Sequence, residues 1–584
     1  SRPNIDIYIY KDAEVPFSTI IEHLLENEPI EEIKKRALPS SHAISSNHIF
    51  YAGPLAERIK ELDILPSPYL GKFFDKFFDG KLMCMVQSNR GCPFACTFCV
   101  EGISYYNKIN RFSLERVSEE LEYMAIYQKG NRNLFIADSN FGMYKEDIAI
   151  AETIARVNRK YGFPEYIYAT TGKNQKERIL DCAKLLSGLL RVSATVQSLD
   201  KDVLKEVKRT NISSQKLIEL AEAASESNAN TYADVILSLP GDSKRAHFET
   251  IKQLVETGID YLTLFTSILL DSTEMTSLEN RKKYGMQTRF RVLPRCFGIY
   301  PFGAAEFISA ETEEVCVANN TLSFEDYLEC RLFDLTVGIF YNDKIFYELN
   351  AFLKFAGISI YDWLLTIHHG RNEFPESIQN VYKQYLFETE SELWKDRPEL
   401  ENFIKSSPEI VKKYINGELG NNVFYTARAI VLVNFVEDIH IIAFNAVRKA
   451  MTLTNPIFCK KHEFYLKELE RYSLLKKIKP LSSDSEEMSQ FYFDFLELEA
   501  LKFSCLPEKR LSTPMTIRFS HTNDQTAHLL RQLKVYGSSK VGMARLHGKN
   551  PVKKFYRTPS AYFPSDVSTD HDRSPADKVW QDYS

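Results

Sequence analysis

Between residues 82 and 267, short apolar runs alternate with amphipathic stretches of helical period. The runs fall at 82–87, 133–137, 166–170, 191–196, 232–238 and 261–267. The stretches between them fall at 114–128, 147–161, 175–186, 214–225 and 246–257. In the first of these, Leu114, Val117, Leu121, Met124 and Ile126 stand opposite Glu115, Glu119, Glu120 and Glu122, the signature of a helix with one buried face. Six strand-then-helix units of about 31 residues match the size of a βα crossover. Repeated units of this kind build a parallel sheet with right-handed crossovers. The expected fold is therefore α/β, a curved and incompletely closed (β/α)6 barrel over residues 78–300. Functional groups in such folds collect at the C-terminal ends of the strands.

Directly after the first apolar run comes Cys92-Pro-Phe-Ala-Cys96-Thr-Phe-Cys99. The chain has ten cysteines, and this spacing would arise by chance in only about 0.003 places per chain. The other seven are scattered, as in a reduced, cytoplasmic protein. Three thiolates in one short loop bind soft metal, as zinc or as an iron–sulfur cluster. Structural zinc takes four closed ligands, and no fourth stands nearby. Three suit a four-iron cubane with one iron left open to a small molecule.

Composition narrows the function classes. A net charge of −5 over 584 residues argues against a polyanion-binding surface and so disfavours nucleic acid as a partner. With 23 Gly and 23 Pro, the chain is too poor in turn residues for an all-β protein. The most apolar helical stretch, 429–444, carries Asn434, Glu437, Asp438 and His440 and reads as a buried helix, not a membrane span. The chain opens without Met and without a charged-then-apolar leader. That reads as a chain cut from something longer and lacking a secretion signal.

Asn89-Arg-Gly-Cys-Pro-Phe-Ala-Cys-Thr-Phe-Cys99 after a strand, followed by the βα units, resembles the radical S-adenosylmethionine superfamily over about residues 82–300. The resemblance implies that Cys92, Cys96 and Cys99 hold a [4Fe-4S] cluster whose open iron takes the amino and carboxylate groups of S-adenosylmethionine. One electron then cleaves the sulfonium, and the 5′-deoxyadenosyl radical abstracts hydrogen from a substrate. Phe98 corresponds to an aromatic near the adenine. Asp138, Ser139 and Asn140, after the second strand, correspond to the contact with the methionine amino group; the plainer alternative is that they cap the next helix. Gln197 and Ser198, after the fourth strand, correspond to the ribose and carboxylate contacts. Asp234 to Ser238, ahead of a Pro240-Gly241 turn, match the fifth-strand segment that runs past the adenine. Arg209 reads either as a site residue or as a solvated charge at a helix end.

Ile268-Leu-Leu-Asp-Ser-Thr-Glu274 and Arg291-Val-Leu-Pro-Arg295 look like the cobalamin-associated branch of the superfamily. There a cobalamin-binding domain precedes the barrel, and residues 1–70 read as its frayed end: a strand, a helix, then a linker. Its Asp-x-His-x-x-Gly signature is absent from this chain, so the sequence leaves cobalamin, and methyl transfer through it, open. The resemblance further implies a small or medium-sized metabolite as substrate, and flavodoxin or ferredoxin as electron donor. Two alternatives stand beside it: a tRNA-modifying methylthiotransferase, and a non-catalytic iron–sulfur carrier or zinc-stabilised module.

Residues 301–557 read as a mainly α-helical C-terminal domain that closes the barrel mouth and selects the substrate. Within it, His368-His369 reads as an exposed or capping pair, and the basic segment 540–557 as a solvated surface. Residues 558–584, rich in Ser, Asp and Pro, read as a disordered tail.

Overall fold

The computed structural model describes residues 5–226, 230–482 and 486–563. Its centre is a set of six parallel strands arranged in chain order. Cys84–Val86 (β1), Asn133–Phe141 (β2) and Tyr166–Thr171 (β3) form one half. Val192–Ser193 (β4), Thr231–Leu237 (β5) and Tyr261–Thr266 (β6) form the other. A parallel bridge between Ile167 and Leu190 joins them. Helices Leu114–Tyr127 (α1), Glu146–Tyr161 (α2), Lys176–Leu185 (α3), Ser214–Glu226 (α4) and Lys244–Glu256 (α5) fall between the strands. Each begins and ends for local reasons. The Ser113 side chain accepts from Arg116 N at 3.1 Å to start α1, while α2 stops at Gly162 in the left-handed region. The apolar faces of α1 and α2, including Val117, Leu121, Ile150 and Ile154, are buried against β1–β3.

The sheet departs from the expected one at two strands, both at the mouth. β2 runs four residues further than its apolar run, through Asp138, Ser139 and Asn140, with a register shift against β3 between Ile136 and Phe141. β4 is cut short, and Gln197 beyond it sits at φ 66°. Past the barrel lies a long antiparallel ribbon, Gln287–Phe302 (β7) with Ala305–Ala318 (β8), in a stretch expected to turn helical at about 301.

Two further expectations need correction. The strands at Ile7–Ile9, Ser41–Ile44 and Phe50–Ala52 pair antiparallel in chain order. That is a three-stranded meander, where one strand, one helix and a linker were expected. Thr558–Ala561 is a strand paired with Met515–Ser520, so the start of the expected tail is ordered; residues 564–584 lie outside the described residues.

The C-terminal helices, among them Phe324–Phe340 (α6), Val423–Asn434 (α7) and Lys540–Lys549 (α8), pack on the edge and base of the half-barrel. Just beyond α6, Asn342 donates to Leu262 O at 2.9 Å and accepts from Leu262 N at 2.8 Å, covering the free edge of β6. At the base, Arg531 pairs with Glu165 at 3.2 Å, and Lys553 reaches Asn230 at 3.4 Å. Tyr168 Oη donates to Lys549 O. These partners precede or begin strands, so this part of the domain floors the barrel; at the other end, just past β5, Asn319 Nδ2 donates to Leu239 O at 3.1 Å and Thr321 Oγ1 to Asp242 O at 2.6 Å. The segment 540–557 is correspondingly docked, with Arg557 buried. His368 is buried too, with Nε2 2.8 Å from Glu329 and Nδ1 3.3 Å from Thr336, which overturns its reading as exposed. No single described helix is long and apolar enough to cross a membrane; Val423–Asn434 with Val436–Thr454 passes by length and composition only as a pair bent by 93°.

Candidate functional site

The cysteine loop leaves β1 at the strand end where a parallel fold presents its chemistry. Its shape is set by close backbone approaches. Gly91 enters at φ 118°, a conformation open to glycine. Cys92 N donates to Tyr106 O at 2.8 Å and Cys99 N to Cys96 O at 3.1 Å. Gly102 packs so tightly that a Cβ there would lie 2.1 Å from the Cys96 carbonyl oxygen. Thr97 bonds to Val207 and Met275 through its backbone, which ties the loop to the far side of the half-barrel.

The three thiols line one cavity of about 330 Å³, together with Phe94, Phe98, Glu101, Asp138, Ser139, Asn140, Thr170, Thr171, Lys173, Thr195, Gln197 and Arg209. Lys173 Nζ lies 3.0 Å from Cys96 Sγ and 4.2 Å from the centre of the Phe94 ring. Arg209 reaches the same sulfur at 3.8 Å. Asn140 Nδ2 lies 3.3 Å from Cys92 Sγ. Burial, with the Arg209 charge beside it, pulls Lys173 below the usual ammonium value, and burial lowers Arg209 as well. Burial pushes the Cys99 thiol up.

Residues expected at the site divide into three groups. Phe98, Ser139, Asn140 and Gln197 line the cavity with the cysteines. The Ser139 hydroxyl bonds to Glu101. Gln197 Oε1 is buried without a hydrogen-bond partner. Asp138 borders the cavity, but its carboxylate is filled by Ser88 N at 2.7 Å, Asn89 N at 3.3 Å, Asn89 Nδ2 at 2.9 Å and the Ser88 hydroxyl. It neither caps α2, whose N-cap is Lys145, nor keeps acceptor capacity free for an ammonium. Ser198, Asp234 and Ser238 are not among the lining residues. The Ser198 hydroxyl accepts from Asp200 N at 3.2 Å. Asp234 stands behind Thr195 at 3.4 Å, and burial pushes its carboxyl up to about 6. Ser238 Oγ donates to Cys316 Sγ at 3.4 Å.

Arg209 is not a solvated helix-end charge: it is buried, with Nε bonded to Val196 O at 3.1 Å and Asn211 Oδ1 at 2.9 Å. Lys173 and Glu101 were missed in the sequence. Lys173 follows β3 in Thr170-Thr171-Gly172-Lys173, so the strand-end rule alone would have flagged it.

The donor set can be tested against the metal it would hold. Among the described residues, no group of three or more His, Cys, Asp or Glu side chains is arranged to hold a metal ion. The trio is therefore not a closed mononuclear site. Three thiols spread around one cavity, with two cations at the Cys96 sulfur and an amide at the Cys92 sulfur, fit a larger inorganic unit, and the orphaned Gln197 oxygen fits a polar ligand beside it.

A parallel half-barrel with a three-cysteine loop at its strand ends defines a class, and comparison identifies it. Residues 86–260 match the family described as the Radical SAM superfamily. The cobalamin-dependent radical SAM methyltransferase TokK of Streptomyces tokunonensis is 26% identical over 363 residues, covering 60% of this chain and 52% of the relative. The 2-(S-pantetheinyl)-carbapenam-3-carboxylate methyltransferase of Streptantibioticus cattleyicolor is likewise 26% identical over 363 residues, with the same 60% and 52% coverage. The chain thus spans about half the length of the curated relatives it matches. A solved structure of the cobalamin-dependent S-adenosylmethionine radical enzyme OxsB with aqua-cobalamin bound aligns at 14% identity and a TM-score of 0.38, covering 81% of this chain and 68% of that one.

Proposed function

We propose that this chain is a radical S-adenosylmethionine enzyme that methylates, or otherwise changes at a C–H bond, a small or medium-sized metabolite. The observation that carries the reading is the convergence of Cys92, Cys96 and Cys99 on one cavity with Lys173 and Arg209 turned to the Cys96 sulfur. In this reading the three thiolates hold a [4Fe-4S] cluster and leave one iron without a protein ligand. Held there by Cys92, Cys96 and Cys99, such a cluster would supply the electron for reductive cleavage of S-adenosylmethionine.

The chain's own residues do the positioning. Lys173 and Arg209 offset the negative charge gathered on three thiolates, and hydrogen bonds to the sulfurs tune reduction potential. Phe98 offers a ring face to the adenine. Ser139, held by Glu101, and the free oxygen of Gln197 offer acceptors to polar groups of the ligand. Methyl transfer and a need for cobalamin are supported by the names of the curated relatives and enter as a second arm of the test. Flavodoxin or ferredoxin is the reductant of this reading.

The test is anaerobic. The chain is reconstituted with iron and sulfide, then given dithionite and S-adenosylmethionine, with and without cobalamin, and 5′-deoxyadenosine is measured by mass spectrometry. Deoxyadenosine is expected from the loaded chain. A loaded cluster that fails to bind S-adenosylmethionine in equilibrium dialysis would sink the reading and leave an electron carrier. Loop geometry gives a second expected result. Gly102→Ala drives a methyl into the Cys96 carbonyl, so iron bound per chain after reconstitution falls by more than half, while far-UV circular dichroism is unchanged.

A further inference from the structure

The outward side chains of β5 and β6 define the inward ones. Ala233 and Val235 of β5 and Leu262 and Leu264 of β6 are buried in the core beneath the helices. Tyr232, Asp234 and Ile236, with Tyr261, Thr263 and Phe265, therefore face the barrel interior. They pair in register, Tyr232 with Tyr261, Asp234 with Thr263 and Ile236 with Phe265. Thr195, just past β4, lines the cysteine cavity, and its hydroxyl donates to Asp234 Oδ2 at 3.4 Å. On the other side, Thr263, Phe265 and Tyr425 line a second cavity, of about 70 Å³. Asp234 thus stands between the two cavities. Phe265, though turned inward, is 48% exposed, so the interior here is open space and not packed core. Tyr232 spans it below, its Oη donating to Ala169 O on β3 at 2.8 Å.

Asp234 differs from the other interior carboxylates in how little holds it. A carboxylate can accept about four hydrogen bonds. Asp138 takes four. Asp242 takes two backbone N–H groups at 2.9 Å, and Asp343 takes Arg428 at 2.7 Å and Arg191 at 3.8 Å. Among the described residues, Asp234 receives the Thr195 hydroxyl alone, at the long end of the range, and forms no ion pair. Arg209, the cation that faces it, is spent on Thr195 O, Val196 O and the Cys96 sulfur. An interior carboxylate without a counter-charge is costly until a ligand supplies one. The rings of Tyr232, Tyr261 and Phe265 on the same wall attract a cation through their faces. At the cysteine end, Lys173 and Arg209 repel one.

We infer that Asp234 is the anchor for a protonated amine of the substrate, held inside the barrel between the two cavities. This deepens, and rests on, the reading of the half-barrel as a substrate chamber. The amine end is drawn to Asp234 and driven off by the cations at Cys96, so the interior sets which way round the substrate lies. Asp234 binds and orients; the chemistry stays with the cysteine cavity.

The test titrates the full chain calorimetrically, at neutral pH and fixed ionic strength, with benzylamine hydrochloride and with benzyl alcohol, which keeps the ring and lacks the charge. One-site binding of the amine is expected, at least about tenfold tighter than the alcohol. Asp234→Asn keeps the shape and the bond from Thr195 and should bring the amine level with the alcohol. Thr195→Val leaves the carboxylate in place and should retain the preference for the amine. Asp202→Asn, which removes an exposed carboxylate, should change nothing. Phe265→Ala, at an exposed ring, should weaken the amine by about threefold and tests the placement even if Asp234→Asn is unstable. No amine binding, equal binding of amine and alcohol, or amine binding that survives in folded Asp234→Asn overturns the inference. The titration needs neither cluster nor S-adenosylmethionine. Amine binding in a chain that yields no deoxyadenosine would fault the proposed reaction and spare the anchor.

Discussion

Cys96→Ala is expected to reduce both iron incorporation and deoxyadenosine formation to background while the barrel stays folded. Cys96 is the sulfur on which Lys173 and Arg209 converge, so its loss removes a metal ligand and also strands two cations beside each other. The residue lies in a loop outside the strands and helices, so the packed faces of α1, α2 and α3 are untouched. Lys173→Met provides the graded comparison. It removes one hydrogen bond and one charge from the same sulfur but no ligand, and loss of such a supporting partner costs about 10- to 100-fold. Equal deoxyadenosine from Cys96→Ala and the parent would refute the ligand assignment. A Lys173→Met variant as dead as Cys96→Ala would show that the lysine is required for cluster assembly itself.

The second large effect concerns stability. Asp138→Ala should lower the free energy of unfolding by about 3–5 kcal/mol, read from the denaturant midpoint at constant slope. Four donors from Ser88 and Asn89 end on this one carboxylate. Without it, the two backbone N–H groups are buried with no acceptor, at about 1–3 kcal/mol each, and the Asn89 amide keeps only the Ser88 hydroxyl at 3.0 Å. Asp138→Asn should recover part of the loss, since an amide oxygen can still accept from the backbone. A change below about 1 kcal/mol in Asp138→Ala would mean that water reaches these donors. Because Ser88 and Asn89 lead into the cysteine loop, the same substitution should also reduce iron binding.

Much of this was legible in the sequence because it is local. Strand and helix periods repeat within a dozen residues, and the six strands and five helices fall within a few residues of the expected segments, apart from β2 and β4. The three cysteines lie within eight positions of one another, so their joint role needs no tertiary knowledge. What the sequence hid depends on distant contacts. Lys173 follows β3 and Arg209 lies beyond β4, and only the parallel sheet brings both to Cys96. Asp138 carries the same carboxylate whether it meets an ammonium or anchors β1; the neighbouring strand decides. The ribbon of β7 and β8 escaped notice because much of it is exposed on both faces and mixes Arg289, Arg291 and Arg295 among Phe290, Val292 and Phe297, which blurs the alternation of a half-buried strand. His368 was misplaced because the carboxylate that justifies its burial, Glu329, lies a helix away.

The side chain of Asn342 has a consequence for any attempt to dissect the molecule. By giving and taking one bond with Leu262, it stands in for the missing seventh strand. A fragment ending near residue 300 would keep the three cysteines of the loop and every barrel strand, yet would leave β6 with bare peptide groups able to recruit another chain. The barrel and the helical half are therefore expected to unfold together, and self-association of the isolated barrel would be a symptom of the cut rather than a native assembly.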